Sequence, residues 1–198
     1  MLKKSQLLAD RIIDAMSNRF APSDFRGSLA GGSLDAALEH HRAVNVLVEN
    51  RLYGSALTLL RPMYEACITG LWCIYVATDD TLQKFGAGRY KLDPQKVIND
   101  LKRKDDGDYT KTLQRIHNQN WETLHGYVHT RNLAIERRNS DTHIGSNYGQ
   151  AEVIEILEFS NSMAIIAAME LPGLTKDEEF ETKIIEAINE YSTSHVTA

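Results

Sequence analysis

Apolar residues recur at helical spacing along most of the chain. Leu7, Leu8, Ile12, Ile13, Met16 and Phe20 share one face and predict an amphipathic helix over 5–20, with Pro22 just past its end. The loop APSDFRGSLAGG then leads to Ser33, which reads as an N-cap after two glycines. Leu34, Leu38, His41, Asn45, Val48 and Leu52 form the face of a long helix over 33–51. Gly54 and Ser55 mark the turn into a central helix, Ser55 to Ala77, the most apolar segment of the chain. Pro62 lies inside it and removes a backbone donor, so a kink or restart is expected there, with freed carbonyl groups that Arg61 could cap.

Asp79 and Asp80 close the apolar run, and TLQKF makes a short helix. Asp93-Pro94 is an N-cap with proline at the first helical position, and it opens a helix over 94–104. Its last turn, Lys102 to Lys104, suits the negative end of the helix dipole. Residues 109–136 read as helical with a break near Asn118–Asn120, and 137–147 as a polar loop. A helix over 149–171 is expected to stop at Pro172 and Gly173. Thr175 with Glu178 forms a capping box that opens a last helix to about Tyr191, before a frayed tail. No segment alternates at period two. The expected architecture is an all-α, multi-helix bundle of about seven helices with long central antiparallel helices. It forms one domain over 1–198: an N-terminal helix and loop to 32, a core bundle over 33–171, and a C-terminal helix with its tail.

Composition narrows the class without naming a function. At 198 residues, 42% hydrophobic and 25% charged, the chain has the make-up of an ordinary globule with a real core. The net charge of −5 argues against a surface that grips nucleic acid everywhere, while permitting a local basic patch. Cys67 and Cys73 lack metal-ligand spacing and read as buried thiols. Asp10, Arg11 and Asp14 interrupt the first apolar stretch, so it does not read as a signal peptide. The uncharged run Ala66 to Thr78 falls short of the roughly 20 residues that a membrane span needs. A cytoplasmic protein with no membrane contact is expected.

Three polar constellations stand out. Arg61 and Glu65 are spaced i,i+4 on the stripe that continues to Ile68 and Trp72. At a surface such a pair contributes a few tenths of a kcal/mol, roughly; among apolar neighbours it needs further partners and serves either as an anchor or in a site. In WETLHGYVHTRNLAIERR, the residues Glu122, His125, His129, Asn132 and Glu136 share a stripe. Glu122-x-x-His125 has the spacing of di-iron bundles, but the chain has a single such unit. Position 126 is glycine where a zinc hydrolase helix needs glutamate, so no metal or other cofactor is expected. Histidines bonded to Glu65 or to a neighbouring helix are the plainer reading.

The third constellation is Arg138-Asn139-Ser140-Asp141-Thr142-His143. A guanidinium that steadies phosphate, with an imidazole that moves the proton of a ribose 2′-OH, is sound chemistry for metal-free RNA cleavage. Arg131-Asn132-x-x-x-Glu136 is a near match with glutamate in the histidine position. Arg131, Arg137 and Arg138, with Lys111 and Arg115 upstream, form a basic concentration that either binds phosphate or is simply a solvated face.

The segment NRLYGSALTLLRPMYEACITGLW, followed by Trp-x-x-x-His-x-Tyr-x-His and Arg-Arg, resembles a group of bacterial all-helical proteins over about residues 34–160. The resemblance implies a helical fold and points at Arg61, Glu65, Trp72, His125, His129, Arg137 and Arg138. More distantly, the Arg138 to His143 spacing is similar to that of HEPN-type bundles, found in toxin–antitoxin and phage-defence systems as ribonucleases or as non-catalytic partners. The HEPN motif normally lies at a helix, whereas this one falls in an expected loop.

Two functions follow as expectations. The first is a dimeric HEPN-like protein that binds RNA or a nucleotide and cleaves RNA without metal. His129 or His143 would be the general base, Arg138 the phosphate clamp and Glu65 an orienting carboxylate. Arg61, Trp72, His125, Arg131 and Arg137 would then contact the substrate. The second is a non-enzymatic interaction module in which Arg61, Glu65 and a histidine form a structural network and the basic cluster docks a partner.

Overall fold

The computed structural model describes residues 1–17, 22–105, 107–128, 135–139 and 144–194. Among them are eight helices and no strand: α1 (Leu2–Met16), α2 (Phe25–Glu49), α3 (Tyr53–Tyr75), α4 (Asp79–Gly86), α5 (Pro94–Lys104), α6 (Asp108–Val128), α7 (Gln150–Thr175) and α8 (Glu178–Thr193). None of them is long and apolar enough to cross a membrane. The all-α reading holds.

The helices α2 and α3 form an antiparallel hairpin with the most extensive contact in the molecule. Arg51 turns the corner in the left-handed region, with φ 59°. There the Leu52 N–H bonds back to Leu47 and the Arg51 N–H to Val48, which satisfies the last carbonyl groups of α2. At the other end, Arg26 near the start of α2 donates to the carbonyl groups of Cys73 and Ala77 and pairs with Asp79, so it caps the C-terminus of α3. Close approach between the two helices needs Gly70, where an added Cβ would lie 2.6 Å from the Leu34 side chain. α7 packs across both, α1 and α8 cover the α2–α7 side, and α5 and α6 flank α3.

Several expected boundaries are corrected. α2 begins at Phe25, not Ser33: Asp24 caps it by accepting from the Gly27 N–H, and the glycines of the expected loop lie inside the helix. Helical glycine costs roughly 1 kcal/mol. Tertiary packing offsets it, because Ala30 is fully buried and Gly27 lets Pro22 approach where a Cβ would be 2.6 Å from it. α3 runs through Pro62 without a restart, so the central helix is one element. α6 likewise continues through Asn118–Asn120.

α7 passes Pro172 and Gly173 and ends at Thr175. Pro172 is buried, and its carbonyl accepts from the Lys176 N–H as Lys176 adopts φ 54°. Asp177 caps α8 by accepting from the Phe180 N–H, in place of the expected Thr175, whose hydroxyl donates to Pro172 instead. The expected loop at 137–147 holds an isolated antiparallel bridge between Asn139 and Ile144.

The core contains one fully polar knot. Ser5 of α1, His41 and Asn45 of α2, and Asn161 of α7 are all buried. The Ser5 Oγ lies 2.6 Å from the Asn45 and 2.5 Å from the Asn161 side-chain oxygen. Asn161 donates to the Tyr191 hydroxyl, which orients its oxygen towards His41 Nε2 at 2.8 Å. Four helices are thereby held in register. The two cysteines are buried and free, and burial pushes the Cys67 thiol up to about 12 and the Cys73 thiol to about 11.

Candidate functional site

The site is organised along one stripe of α3. Gly54, Thr58, Arg61 and Glu65 lie at offsets 0, 4, 7 and 11, so a single helical face presents them to α6 and to the segments around 135–139 and 148. The Arg61–Glu65 ion pair forms at 2.9 Å, with Arg61 18% and Glu65 40% exposed. Arg61 Nη1 also donates to His125 Nδ1 at 2.6 Å, and its guanidinium lies 4.9 Å from the centre of the Trp121 ring. The arginine is thus clamped by a carboxylate, an imidazole and an indole from two helices.

Guanidinium is always protonated, so His125 Nδ1 must be the acceptor and the ring carries its proton on Nε2. Trp121 stacks on His117 with ring centroids 5.3 Å apart, and the Tyr64 hydroxyl donates to His117 Nδ1 at 2.9 Å. His117 Nε2 donates in turn to Gln95 of α5 at 2.9 Å. These rings make a continuous polar and aromatic seam from α5 through α6 to α3. His117 was not singled out from the sequence, and Trp121 entered only as the first residue of the Trp-x-x-x-His-x-Tyr-x-His element. The i,i+4 spacing of His117, Trp121 and His125 was the available signal.

The imidazoles of His41 and His117, buried among the described residues, are held below the ordinary histidine value of 6.5, with desolvation the leading cause for each. The unfolded chain therefore binds protons near pH 6.5 that the fold does not take up. Stability is expected to be full above that value and to fall as pH drops from 7.5 to 5.5, before most carboxylates titrate. Urea midpoints at the two pH values check this; His41→Gln should show a smaller difference between them.

At the other end of the stripe is a cleft of about 310 Å³, lined by Gly54, Ser55, Thr58, Tyr127, Ile135, Arg138, Asn139 and Tyr148. The Arg138 guanidinium rests against Gly54, where an added Cβ would lie 2.7 Å from Nη2 and 3.2 Å from the Tyr148 hydroxyl. Among the described residues no carboxylate pairs with Arg138. Arg137 pairs with Glu152 at 2.6 Å, and its Nε is buried without a partner. Glu152 also accepts from the Gly149 N–H and so fixes the start of α7. Burial holds the Tyr127 and Tyr148 phenols above their ordinary value, so both remain O–H groups at neutral pH.

The expected site residues thus divide. Arg61, Glu65 and His125 come together, and Arg137 and Arg138 lie at the far end of the same face. Trp72 does not join them: it is 3% exposed and packs between Phe85 and Tyr90, stacked on the latter at 5.5 Å. The stripe that began at Arg61 has by then turned into the core. His129, Arg131 and His143 lie outside the described residues. Glu122 is exposed, and among the described residues no group of three or more metal-ligating side chains converges. Lys111 and Arg115 are solvent-exposed on α6, and Arg103 pairs along its own helix with Asp100.

The chain belongs to a family of unknown function, DUF6988, whose model matches residues 34–196 and so spans every residue of this face. No curated protein and no solved structure matches the chain.

Proposed function

We propose that this protein is a non-enzymatic helical module that binds RNA or a nucleotide along the α3 face, without cutting it. The observation that carries the reading is the Arg61 to His125 bond at 2.6 Å. An imidazole that takes a proton from a ribose hydroxyl needs a bare ring nitrogen. In His125 that nitrogen is Nδ1, and Arg61 occupies it, which takes His125 out of that role; His129 and His143 lie outside the described residues. The Arg61–Glu65–His125–Trp121 cluster then serves as a lock between α3 and α6, and the binding chemistry falls to Arg138 and its cleft. The HEPN likeness, a homodimer, a cytoplasmic setting and a place in toxin–antitoxin or phage-defence systems belong to this proposal, on the side of the non-catalytic members.

A second reading keeps cleavage, with His129 or His143 as the base and Arg131 and Arg138 as clamps. It is favoured by the placement of Arg138 in an open cleft with no described carboxylate against it. One experiment separates the two: a mixed RNA pool is incubated with purified protein, with and without EDTA, and both retention and cleavage are scored. The binding reading expects retention without cleavage, and a loss of about 10-fold or more in affinity for Arg138→Ala, the scale of one charge-assisted contact. Cleavage that survives EDTA and disappears in Arg138→Ala would establish the ribonuclease instead. No retention at all would overturn the RNA reading.

A further inference from the structure

α7 is apolar round most of its circumference, yet one side of it lies open. Between Glu158 and Lys176 its sequence, FSNSMAIIAAMELPGLT, holds a single charged residue, Glu170, whose carboxylate accepts from the Tyr75 and Tyr109 hydroxyls. A helix of that make-up is ordinarily covered on every side. Ile156, Ser160, Met163, Ala167 and Leu171 face the core. Glu158, Ser162, Ile165, Met169, Gly173 and Lys176 follow one another at offsets 0, 4, 7, 11, 15 and 18 and form the outer stripe. Met169 is 59% exposed, Ile165 is half-buried, and the other four are exposed. Half-exposed rings of Tyr75 and Tyr109 stand beside the stripe, held there by Glu170 next to Met169.

Two details suit this stripe to a second helix. The Ser162 hydroxyl donates to the Glu158 carbonyl of its own helix, so it demands nothing from water. A Cβ added at Gly173 would meet nothing within 4 Å, so no packing inside the described chain offsets the cost of that glycine in a helix. Its bare backbone instead permits close approach from outside.

Charge selects what covers the stripe. Glu158 and Lys176 bound it, each nine positions from Ala167, and among the described residues neither has an ion-pair partner. Turned end for end about an axis at the level of Ala167, the stripe is its own complement. Ile165 then meets the partner's Met169, Ser162 faces the partner's Gly173, and Glu158 meets the partner's Lys176. Parallel packing would set like charges together at both ends. An exposed apolar stripe closed by opposite charges at equal distances from its midpoint fits a second copy of itself.

We infer that two copies of the chain pair through α7, antiparallel, with Ile165 and Met169 at the centre and a Glu158–Lys176 ion pair at each end. The inference rests on the homodimer of the proposed function, to which it gives a surface, and it is independent of RNA at the Arg138 cleft.

The test is sedimentation equilibrium of the whole protein from about 1 to 100 μM, a range that brackets a micromolar Kd. The wild type is expected to sediment as a dimer. Met169→Lys, which brings two ammonium groups to the centre of the contact, should raise the dimer Kd about 100-fold or more. Its helical circular dichroism should stay unchanged, because the side chain is mostly exposed. Glu158→Lys and Lys176→Glu should each raise Kd about 10-fold by setting like charges together at both ends, and the two combined should return it towards wild type. Both positions are exposed, so this charge exchange decides the matter even should Met169→Lys disturb the fold. A monomeric wild type, wild-type dimerisation by Met169→Lys, or a combined variant no better than its parents would overturn the inference. Retention of the RNA pool, scored on the same preparations, separates the two readings. A monomer that retains RNA would remove this interface and leave the binding function standing; a dimer that obeys the charge exchange but retains no RNA would do the reverse.

Discussion

Trp72→Ala is expected to destabilise the protein by about 3–5 kcal/mol, the range for deleting a fully buried aromatic side chain. For a chain of this size that is a fall of about 10–15 °C in Tm. Trp72 stacks on Tyr90 at 5.5 Å and meets the edge of Phe85 at 5.5 Å, so it joins α3 to α4 and to the connection before α5. The cavity left behind would be lined by rings from two separate segments, which cannot collapse onto one another without moving α4. Ligand affinity of the folded fraction should be unchanged, because the Arg138 cleft is lined by other residues. Thermal unfolding followed by titration below the new midpoint checks both halves. A stable Trp72→Ala that has lost its ligand would return Trp72 to the site.

Arg61→Ala has the second-largest expected effect, about 2–3 kcal/mol. The substitution removes a charge-assisted bond to His125, an ion pair to Glu65 and a cation–π contact with Trp121 in one step. Glu65 is partly exposed and water can solvate it, which keeps the loss below that of a fully buried pair. Arg61→Lys should recover only part, since an ammonium offers neither the planar fork nor the stacking surface. A double-mutant cycle of Arg61→Ala with His125→Ala should give a coupling of about 1 kcal/mol or more. Near-zero coupling would mean that the lock is not structural, and the non-enzymatic reading would lose its main support.

The Arg61–Glu65 pair was legible in the sequence because i,i+4 spacing on a helix places two side chains in contact whatever the fold. Its partners were not. His125 is 64 positions away, and only the packing of α3 against α6 brings its ring to the guanidinium. The cleft shows the same division. Gly54 and Thr58 could have been placed on the Arg61 stripe by counting, but Tyr148 and Arg138 reach it from a different segment. Trp72 was assigned to the site because it lies on the Arg61 stripe, and a stripe says nothing about which neighbour covers each of its turns.

Helical period and the absence of period-two alternation determined the fold class, because those signals are local and summed over many residues. The caps at Asp93 and Pro94 determined one helix start for the same reason. Tertiary structure alone decided where α2 begins and where α7 ends. Glycines at 27 and 31 and a proline at 172 are helix breakers in isolation, yet close packing in the bundle offsets their cost. Tertiary structure also decided which polar residues form a lock and which line a cleft, since a side chain's role depends on the groups that fold against it from distant segments.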